Sequence, residues 1–369
     1  MTNDLKLNPA SGIPLAQQIR EQMARLITKG ELREGDLLPP VRSLAAQLTI
    51  NVNTVRVAYQ RLEQDGLVKT SQGVGTRILP LNINRMIRLA RAETTNTVGV
   101  ILPALNPFYY TFLQGLESVA DENQTMLFLC LTHQGKDELR SFAQLSAHKV
   151  DGIIAASSPL YERVKTSSAS AAELPMVTAD WPDCTGYSVL MDLKNAGEEA
   201  TRHLIEHGHR RIGLITPGFG GSNILPVNQG YEQALKNAGI ELDEDLIARV
   251  DDFELDSGKQ GARQLLALPK PPTAIFTIAD LLALGAMQTI RESGLHVPRD
   301  VALASVNDIA FAELAQPALT TARLPAYELG LESMKMLALL IADKKPPRKR
   351  LTLPTSLVIR ESCGCPQRD

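Results

Sequence analysis

No apolar run in these 369 residues approaches the roughly 18–20 that a membrane-crossing helix needs. The opening MTNDLKLNPASG also lacks the basic-then-apolar layout of a secretory signal, so the chain is expected to stay in the cytoplasm, away from membranes. Cysteine is scarce. Of the four, only Cys363 and Cys365 stand close together, which forms neither an even disulfide framework nor a paired CxxC zinc pattern; the thiols are expected to be reduced and incidental. Motifs that announce catalysis are missing as well: there is no GxGxxG after the first strand of the body, no GxxxxGK(S/T), no GxSxG and no HExxH. The chain is therefore expected to be no enzyme, with no catalytic residues and no cofactor.

What is present is an ordinary globular balance, 44% apolar and 21% charged, which argues against a disordered or fibrous chain and allows a large core. Single cores tend to stop growing near about 250 residues, so more than one domain is expected. The net charge of -3 hides a split: residues 1–95 hold 13 basic and 8 acidic side chains, the remainder 25 and 33. A basic head of +5 thus precedes an acidic body of -8, as a polyanion-binding head would show and as an ordinary solvated surface could also give.

Pro14 followed by LAQQIREQMARLITKG predicts a first helix, with Leu15, Ile19, Met23 and Leu26 on one stripe and Gly30 ending it. Beyond the Pro39-Pro40 stop, VRSLAAQL predicts a short second helix. NVNTVRVAYQRLEQDG predicts a third, capped by Asn51, with Val52, Val55, Tyr59 and Leu62 inward and Gly66 as its stop. The β-branched runs flanking Gln72-Gly73-Val74-Gly75 predict a hairpin. Three helices and a glycine-tipped hairpin make an α+β winged helix-turn-helix, whose third helix enters the major groove of double-stranded DNA. On that helix Asn53, Thr54 and Arg56 point outward and suit base edges and phosphate oxygens, with Arg42 before it and Thr76 and Arg77 after the wing. Taken singly, Arg42 and Arg56 also read as solvated helix charges, Asn51 as a cap first and a DNA contact second, and Gly73 and Gly75 as hairpin residues that need positive φ.

Seven motifs follow one another in the first 80 residues: Ile13-Pro14-Leu15, Gly30-Glu31-Leu32, Gly35-Asp36-Leu37-Leu38-Pro39, Arg42 with Leu44-Ala45, Asn53-Thr54-Val55-Arg56, Leu62-Glu63 with Gly66-Leu67-Val68, and Gly73-Val74-Gly75-Thr76. Their order resembles the GntR-type DNA-binding domain. The resemblance implies that Arg42, the Asn53 to Arg56 segment and the Gly-x-Gly wing touch operator DNA. Where many members carry arginine, this chain has Val52. The head is expected over residues 1–80 and a linker over 81–96. In the linker Arg85, Arg88 and Arg91 recur three apart, either as a solvated connector or as a strip that approaches the DNA backbone.

From Thr97 onward apolar strands alternate with amphipathic helices: TVGVILP, FYYTFLQGLESVADE, TMLFLCL and DGIIAAS, then again RRIGLITPG, GYEQALKNAG, GARQLLALP, PTAIFTI and LLALGAMQTIRESG. Such runs mean parallel sheets covered on both faces. An α/β body of two doubly wound lobes is expected, with a ligand cleft at the carboxyl ends of their strands. His203 and His207 stand i, i+4 on a helix and could hold a metal. Gly208 ends the helix there, however, and donor side chains near a helix C-terminus explain the pair without one, so no metal site is expected.

The body carries a second ordered set of motifs: Val98-Gly99-Val100-Ile101 with Asn106-Pro107-Phe108-Tyr109, Val150-Asp151-Gly152-Ile153-Ile154, Gly208-His209-Arg210-Arg211-Ile212-Gly213, Gly230-Tyr231, Ala279-Asp280 with Ala283-Leu284-Gly285, Leu319-Thr320-Thr321 and Ile359-Arg360-Glu361-Ser362. These resemble the effector domain of the LacI/GalR regulators, whose fold is that of periplasmic sugar-binding proteins. The resemblance implies an N-lobe at 97–191 and 324–343 and a C-lobe at 192–323 and 344–369, joined by three crossovers and closing on a small molecule. It assigns effector contacts to Phe108, Tyr109, Asp180, Trp181, Asn223, Phe253, Asp280, Asn307 and Asp308, where aromatics stack on a ring face and carboxylates and amides hold hydroxyls. Trp181 reads equally as a half-buried hinge residue. The family's effector-binding arginine would fall at Val227; loss of that five-donor fork points to a less polar or differently oriented ligand, or to none.

Together these features imply a ligand-responsive transcription factor, a repressor of a catabolic operon. A homodimer on an inverted-repeat operator is expected, since twofold protein symmetry calls for half-sites related by the same symmetry. Two other classes share parts of the pattern. A solute-binding protein has the body's fold but needs a signal peptide. A GntR head on a pyridoxal-phosphate enzyme needs a longer body and a Schiff-base lysine in a cofactor site.

Overall fold

The computed structural model describes residues 5, 7–8, 14–28, 31–71, 73, 75–79, 95–132, 137–167, 174–219, 221 and 223–365. They form two compact units, divided between Thr94 and Thr95. The linker arginines Arg85, Arg88 and Arg91 lie outside the described residues, as do Gly30, Gln72 and Val74.

In the first unit α1 (Leu15–Thr28), α2 (Val41–Leu48) and α3 (Val52–Gln64) precede a hairpin of β1 (Val68–Ser71) and β2 (Gly75–Ile78). One apolar stripe from each helix builds the core: Ile19 and Met23, Leu44 and Ala45, then Val55, Tyr59 and Leu62. The buried Tyr59 hydroxyl donates to the Pro39 carbonyl at 2.8 Å, and Arg20 ties α1 to Asp65 beyond α3 at 2.7 Å. Thr49, at φ 56, ends α2, and the Asn51 side chain accepts the Asn53 N–H at 2.7 Å to start α3; the turn between the helices is thus closed by a left-handed stop and a cap. Residues 35–38 run beside the hairpin, with the Leu38 N–H on Thr76 O and the Ile78 N–H on Asp36 O.

The second unit holds two six-stranded sheets. In the N-lobe β3 (Thr97–Leu102), β4 (Met126–Leu131), β5 (Gly152–Ala156), β6 (Met176–Ala179), β7 (Tyr187–Met191) and β13 (Arg350–Leu353) lie in the order β13-β7-β6-β5-β3-β4, all parallel. In the C-lobe β8 (Ile212–Pro217), β9 (Ile247–Val250), β10 (Ala274–Thr277), β11 (Ala302–Asn307), β12 (Thr320–Arg323) and β14 (Ser356–Val358) lie in the order β14-β12-β11-β10-β8-β9, with β14 antiparallel to β12. Strands β3, β5 and β6 are buried along their whole length, the cause of their unbroken apolar runs. Strand β4 differs: it is an edge, exposed or half-buried throughout. Because β13 pairs with β7, residues 350–353 belong to the N-lobe sheet and the third crossover falls at 354–355, not near 343. The short RLTL run carries no mark of which sheet it will join.

The helices are α4 (Pro107–Glu122), α5 (Glu138–Ala147), α6 (Leu160–Ser167), α7 (Leu193–Glu206), α8 (Ile224–Asn237), α9 (Leu255–Leu266), α10 (Asp280–Glu292), α11 (Ala310–Leu314) and α12 (Ala326–Ile341). Three pairs cross through reciprocal glycines: Gly115 of α4 with Gly330 of α12, Gly197 of α7 with Gly230 of α8, and Gly258 of α9 with Gly285 of α10. A Cβ at any of the six would stand 2.0–2.2 Å from a carbonyl oxygen of the partner helix, so only glycine lets these backbones meet.

Candidate functional site

In the first unit the N-terminal end of α3 presents Asn51, Val52, Asn53 and Arg56 to solvent, with Thr54 half-buried. Val52 was expected inward. It is in phase with the buried stripe but sits in the first turn, where the core has ended. Arg56 reaches Asn53 Oδ1 at 3.3 Å, and Arg42 is exposed on α2. Gly73 (φ 78) and Gly75 (φ 106) are exposed at the hairpin tip. One expected contact faces elsewhere: Thr76 is buried with its hydroxyl 3.2 Å from that of Thr70, bracing the wing from within. Arg77 is exposed on β2 and donates to the Gly35 carbonyl at 2.8 Å.

In the second unit a cleft of about 450 Å³ lies between the lobes. Nearly every strand ends at its rim, as doubly wound sheets dictate: Pro103 follows β3, Ser157 β5, Asp180 β6, Phe219 β8, Phe253 β9 and Ala279 β10. On the N-lobe wall Asn106 caps α4 by accepting the Tyr109 N–H at 3.1 Å, which sets Phe108 and Tyr109 in the first turn. The two rings meet edge to face at 5.2 Å, and the Tyr109 hydroxyl donates to Ser157 Oγ at 3.0 Å. Asp180, at φ 53, is 5% exposed, and burial pushes its carboxyl up to about 7. Trp181 beside it is half-buried in the same wall. Across the cleft Phe219 and Phe253 meet edge to face at 6.1 Å, with Asn223, Val227 and Asn307 beside them.

The floor is made by the crossovers. Met191, Leu193 and Leu324 line the cleft where the chain passes between lobes. Asp192 caps α7 through the Asn195 N–H at 3.1 Å, and its own N–H donates to Leu353 O at 3.0 Å. Asn195 Nδ2 reaches Thr355 Oγ1 at 3.2 Å, so the first and third crossovers are tied together.

Two expected contacts, Asp280 and Asp308, do not line the cleft. Asp280 is fully buried at the head of α10 and accepts from the Ile309 N–H at 2.8 Å and the Thr321 hydroxyl at 2.7 Å; burial raises its carboxyl to about 6. Asp308, at φ 61, takes Arg323 at 2.6 Å and Arg360 at 2.7 Å. Both carboxylates are used to shape the loop that delivers Asn307, itself held at φ 128. Conversely, the sequence reading missed Phe219, which the strand-end rule could have found. It also missed Glu138 and Arg163, a pair at 3.0 Å whose glutamate is buried and accepts the Ser158 hydroxyl at 2.7 Å. They come from two different helices, so no spacing announces them.

A family model for bacterial regulatory proteins, gntR family, matches residues 15–78, and a periplasmic binding protein-like domain matches residues 201–363. The HTH-type transcriptional regulator DegA of Bacillus subtilis (strain 168) is 33% identical over 276 residues, covering 73% of this chain and 81% of the relative. The HTH-type transcriptional repressor PurR of Aliivibrio salmonicida (strain LFI1238) is 30% identical over 279 residues, 74% of this chain and 84% of its own. A solved structure described as a transcriptional regulator CelR-cellobiose complex aligns with a TM-score of 0.67 at 28% identity, over 88% of this chain and 100% of that one. Among the described residues no helix is long and apolar enough to cross a membrane. With a gntR-type head and a body that aligns along most of its length with such repressors, the chain belongs to the LacI family of helix-turn-helix transcriptional repressors.

Proposed function

We propose that this chain is a cytoplasmic, homodimeric repressor of a catabolic operon, whose operator affinity is set by a neutral polyhydroxyl metabolite held between the lobes. The cleft carries this reading. Its 450 Å³ falls within the roughly 300–1,000 Å³ of small-molecule sites, and its walls set aromatics against carboxylates and amides. A sugar-like ring face stacks on Phe108, Phe253 or Trp181 while Asp180, Asn223 and Asn307 hold hydroxyls. The charge balance favours a neutral molecule. Asp252 and Glu254 line the cleft, and its Arg163 is engaged with Glu138, so a phosphorylated ligand would meet more negative charge than positive. The cellobiose complex among the relatives is of matching chemistry. Val227, buried where the family's arginine is expected, supports a second reading, a less polar ligand with the same gating role.

The ligand acts through the crossovers. One that prefers the closed lobes shifts operator affinity by its differential affinity for the two states, and DNA shifts ligand affinity by the same factor. Arg42, Asn53, Arg56 and the Gly73–Gly75 tip are the proposed operator contacts, with Val52 offering an apolar contact to a thymine methyl. The edge strand β4 exposes Met126, Phe128, Leu129 and Leu131, an apolar edge that a second copy of the chain would cover, placing two heads on an inverted repeat. The body is proposed to bind its ligand without turning it over.

The test is a thermal-shift screen of sugars, sugar alcohols and related metabolites, with each hit retested on binding to the gene's own upstream DNA. A hit should change operator affinity at least fivefold. A ligand that saturates the protein and leaves DNA affinity unchanged sinks the allosteric reading.

A further inference from the structure

Away from the cleft, four metal-ligating side chains converge at the far end of α7. His203 and the exposed His207 project from that end with ring centroids 4.6 Å apart, and Cys363 and Cys365 meet them from the final segment of the described chain. Cys365 Sγ stands 3.2 Å from His203 Nε2, 2.8 Å from His207 Nε2 and 3.1 Å from Cys363 Sγ. The ligand atoms of His203, Cys363 and Cys365 all lie within 4.8 Å of one another. On a tetrahedral zinc ion, with Zn–S near 2.3 Å and Zn–N near 2.0–2.1 Å, ligand atoms sit about 3.3–3.8 Å apart. Shifts of about 1 Å would therefore seat an ion among His203, Cys363 and Cys365, and His207, its Nε2 2.8 Å from Cys365 Sγ, is placed to turn in as the fourth ligand.

We propose that His203, His207, Cys363 and Cys365 form a structural zinc(II) site that clips the C-terminal segment to α7. The chemistry is that of a closed site: two thiolates and two imidazoles fill a tetrahedron and leave no position for substrate. Binding releases the two thiol protons to solvent, and the two thiolates neutralise the ion. The backbone that presents the thiols is fixed beforehand. The Ser362 hydroxyl donates to Leu303 O at 2.7 Å and accepts the Thr320 N–H at 2.8 Å, and Gly364, at φ 80, turns the chain between the cysteines. The place in the fold argues for scaffold rather than effector chemistry. Leu193 lines the cleft at the start of α7, and His203 lies ten residues further on, about 15 Å along the axis. Read singly, the histidines pass for helix-end donors and the cysteines for incidental thiols. The fold joins two motifs that are 162 residues apart at His203 and Cys365.

The full-length protein, reduced and stripped with a chelator, is titrated with Co²⁺ and then with Zn²⁺. One equivalent of Co²⁺ should give the visible ligand-field bands of a tetrahedral site with thiolate charge transfer, and one equivalent of Zn²⁺ should erase them. Cys365→Ser and His207→Ala should each weaken Co²⁺ binding at least tenfold with the circular dichroism spectrum unchanged; His207 is exposed, so its variant probes the site without disturbing the core. Zn²⁺ should raise the unfolding midpoint of the wild type and not of the Cys363→Ser/Cys365→Ser double variant. The proposal is overturned if stoichiometric Co²⁺ gives no tetrahedral spectrum, if that spectrum survives both single variants, or if the two thiols of the native protein are found joined in a disulfide.

Discussion

Asp180→Asn should stabilise the ligand-free protein above neutral pH while weakening its response to effector. The carboxyl lies at the cleft wall, 5% exposed, and burial lifts it to about 7. In the unfolded chain an aspartate titrates near 3.9, so the folded state holds a proton that the unfolded state gives up. Stability from this group is therefore complete below about pH 4 and is lost as pH rises to about 7, the reverse of a salt-bridged carboxylate. A gap of about three pH units at 1.36 kcal/mol each makes about 4 kcal/mol a ceiling, since water entering the open cleft screens part of it. Asparagine is nearly isosteric, accepts the left-handed backbone at φ 53 and carries no charge to bury. For a body of this size the ceiling corresponds to roughly 7 °C in the unfolding midpoint. Midpoints of the two proteins measured from pH 4 to 8.5 should coincide at the acid end, part as pH rises from about 4 to about 7, and stay apart above that, with the variant higher. Every other carboxylate is common to both chains and cancels in the difference. A gap that is absent, or that opens in the other direction, refutes the buried-charge account of Asp180.

Two further outcomes follow from packing. Gly197→Ala puts a methyl 2.2 Å from the Val227 carbonyl oxygen, so α7 and α8 must part; a loss of about 1–3 kcal/mol is expected in urea unfolding, with weaker effector binding because Val227 lines the cleft. Retained stability would mean that the helices separate at no cost. Phe128→Lys places a charge on the apolar edge of β4 and should raise the dissociation constant of the proposed dimer at least tenfold in analytical ultracentrifugation, with operator affinity falling in step; an unchanged constant, or a monomeric wild type, refutes β4 as the dimer interface.

How far the fold was legible depended on what each residue had to satisfy. Strands β3, β5 and β8 are buried on both faces, and that demand writes itself as TVGVIL or IGLITP. The same signature misleads at β4: MLFLCL reads as a core strand, yet it is an edge whose apolar side chains face outward. Sequence cannot distinguish burial under a helix from an exposed surface awaiting a partner. In the cleft, Phe108, Tyr109, Asp180 and Phe253, assigned through the family resemblance, do line the walls, because each follows a strand end. Asp280 and Asp308 occupy equivalent places and turn into the protein instead, since sequence locates a Cα and not the direction of its side chain. Val52 failed for a similar reason, being in phase with a stripe whose core stops one turn short. The His203–Cys365 cluster was invisible because it depends on the final segment folding back onto α7.

The reciprocal glycines bear on how a ligand's grip is transmitted. Where two helices touch backbone to backbone, neither can slide or roll without driving a carbonyl into its neighbour, so each helix pair has essentially one register. Three such locked crossings, one in the N-lobe and two in the C-lobe, make the lobes stiff levers. Any rotation of one lobe against the other would then be concentrated in the few residues that pass between them, Met191 to Leu193, Leu324 with Pro325, and Pro354 with Thr355. The ties from Asp192 to Leu353 and from Asn195 to Thr355 make the outer two of these bend as one axle.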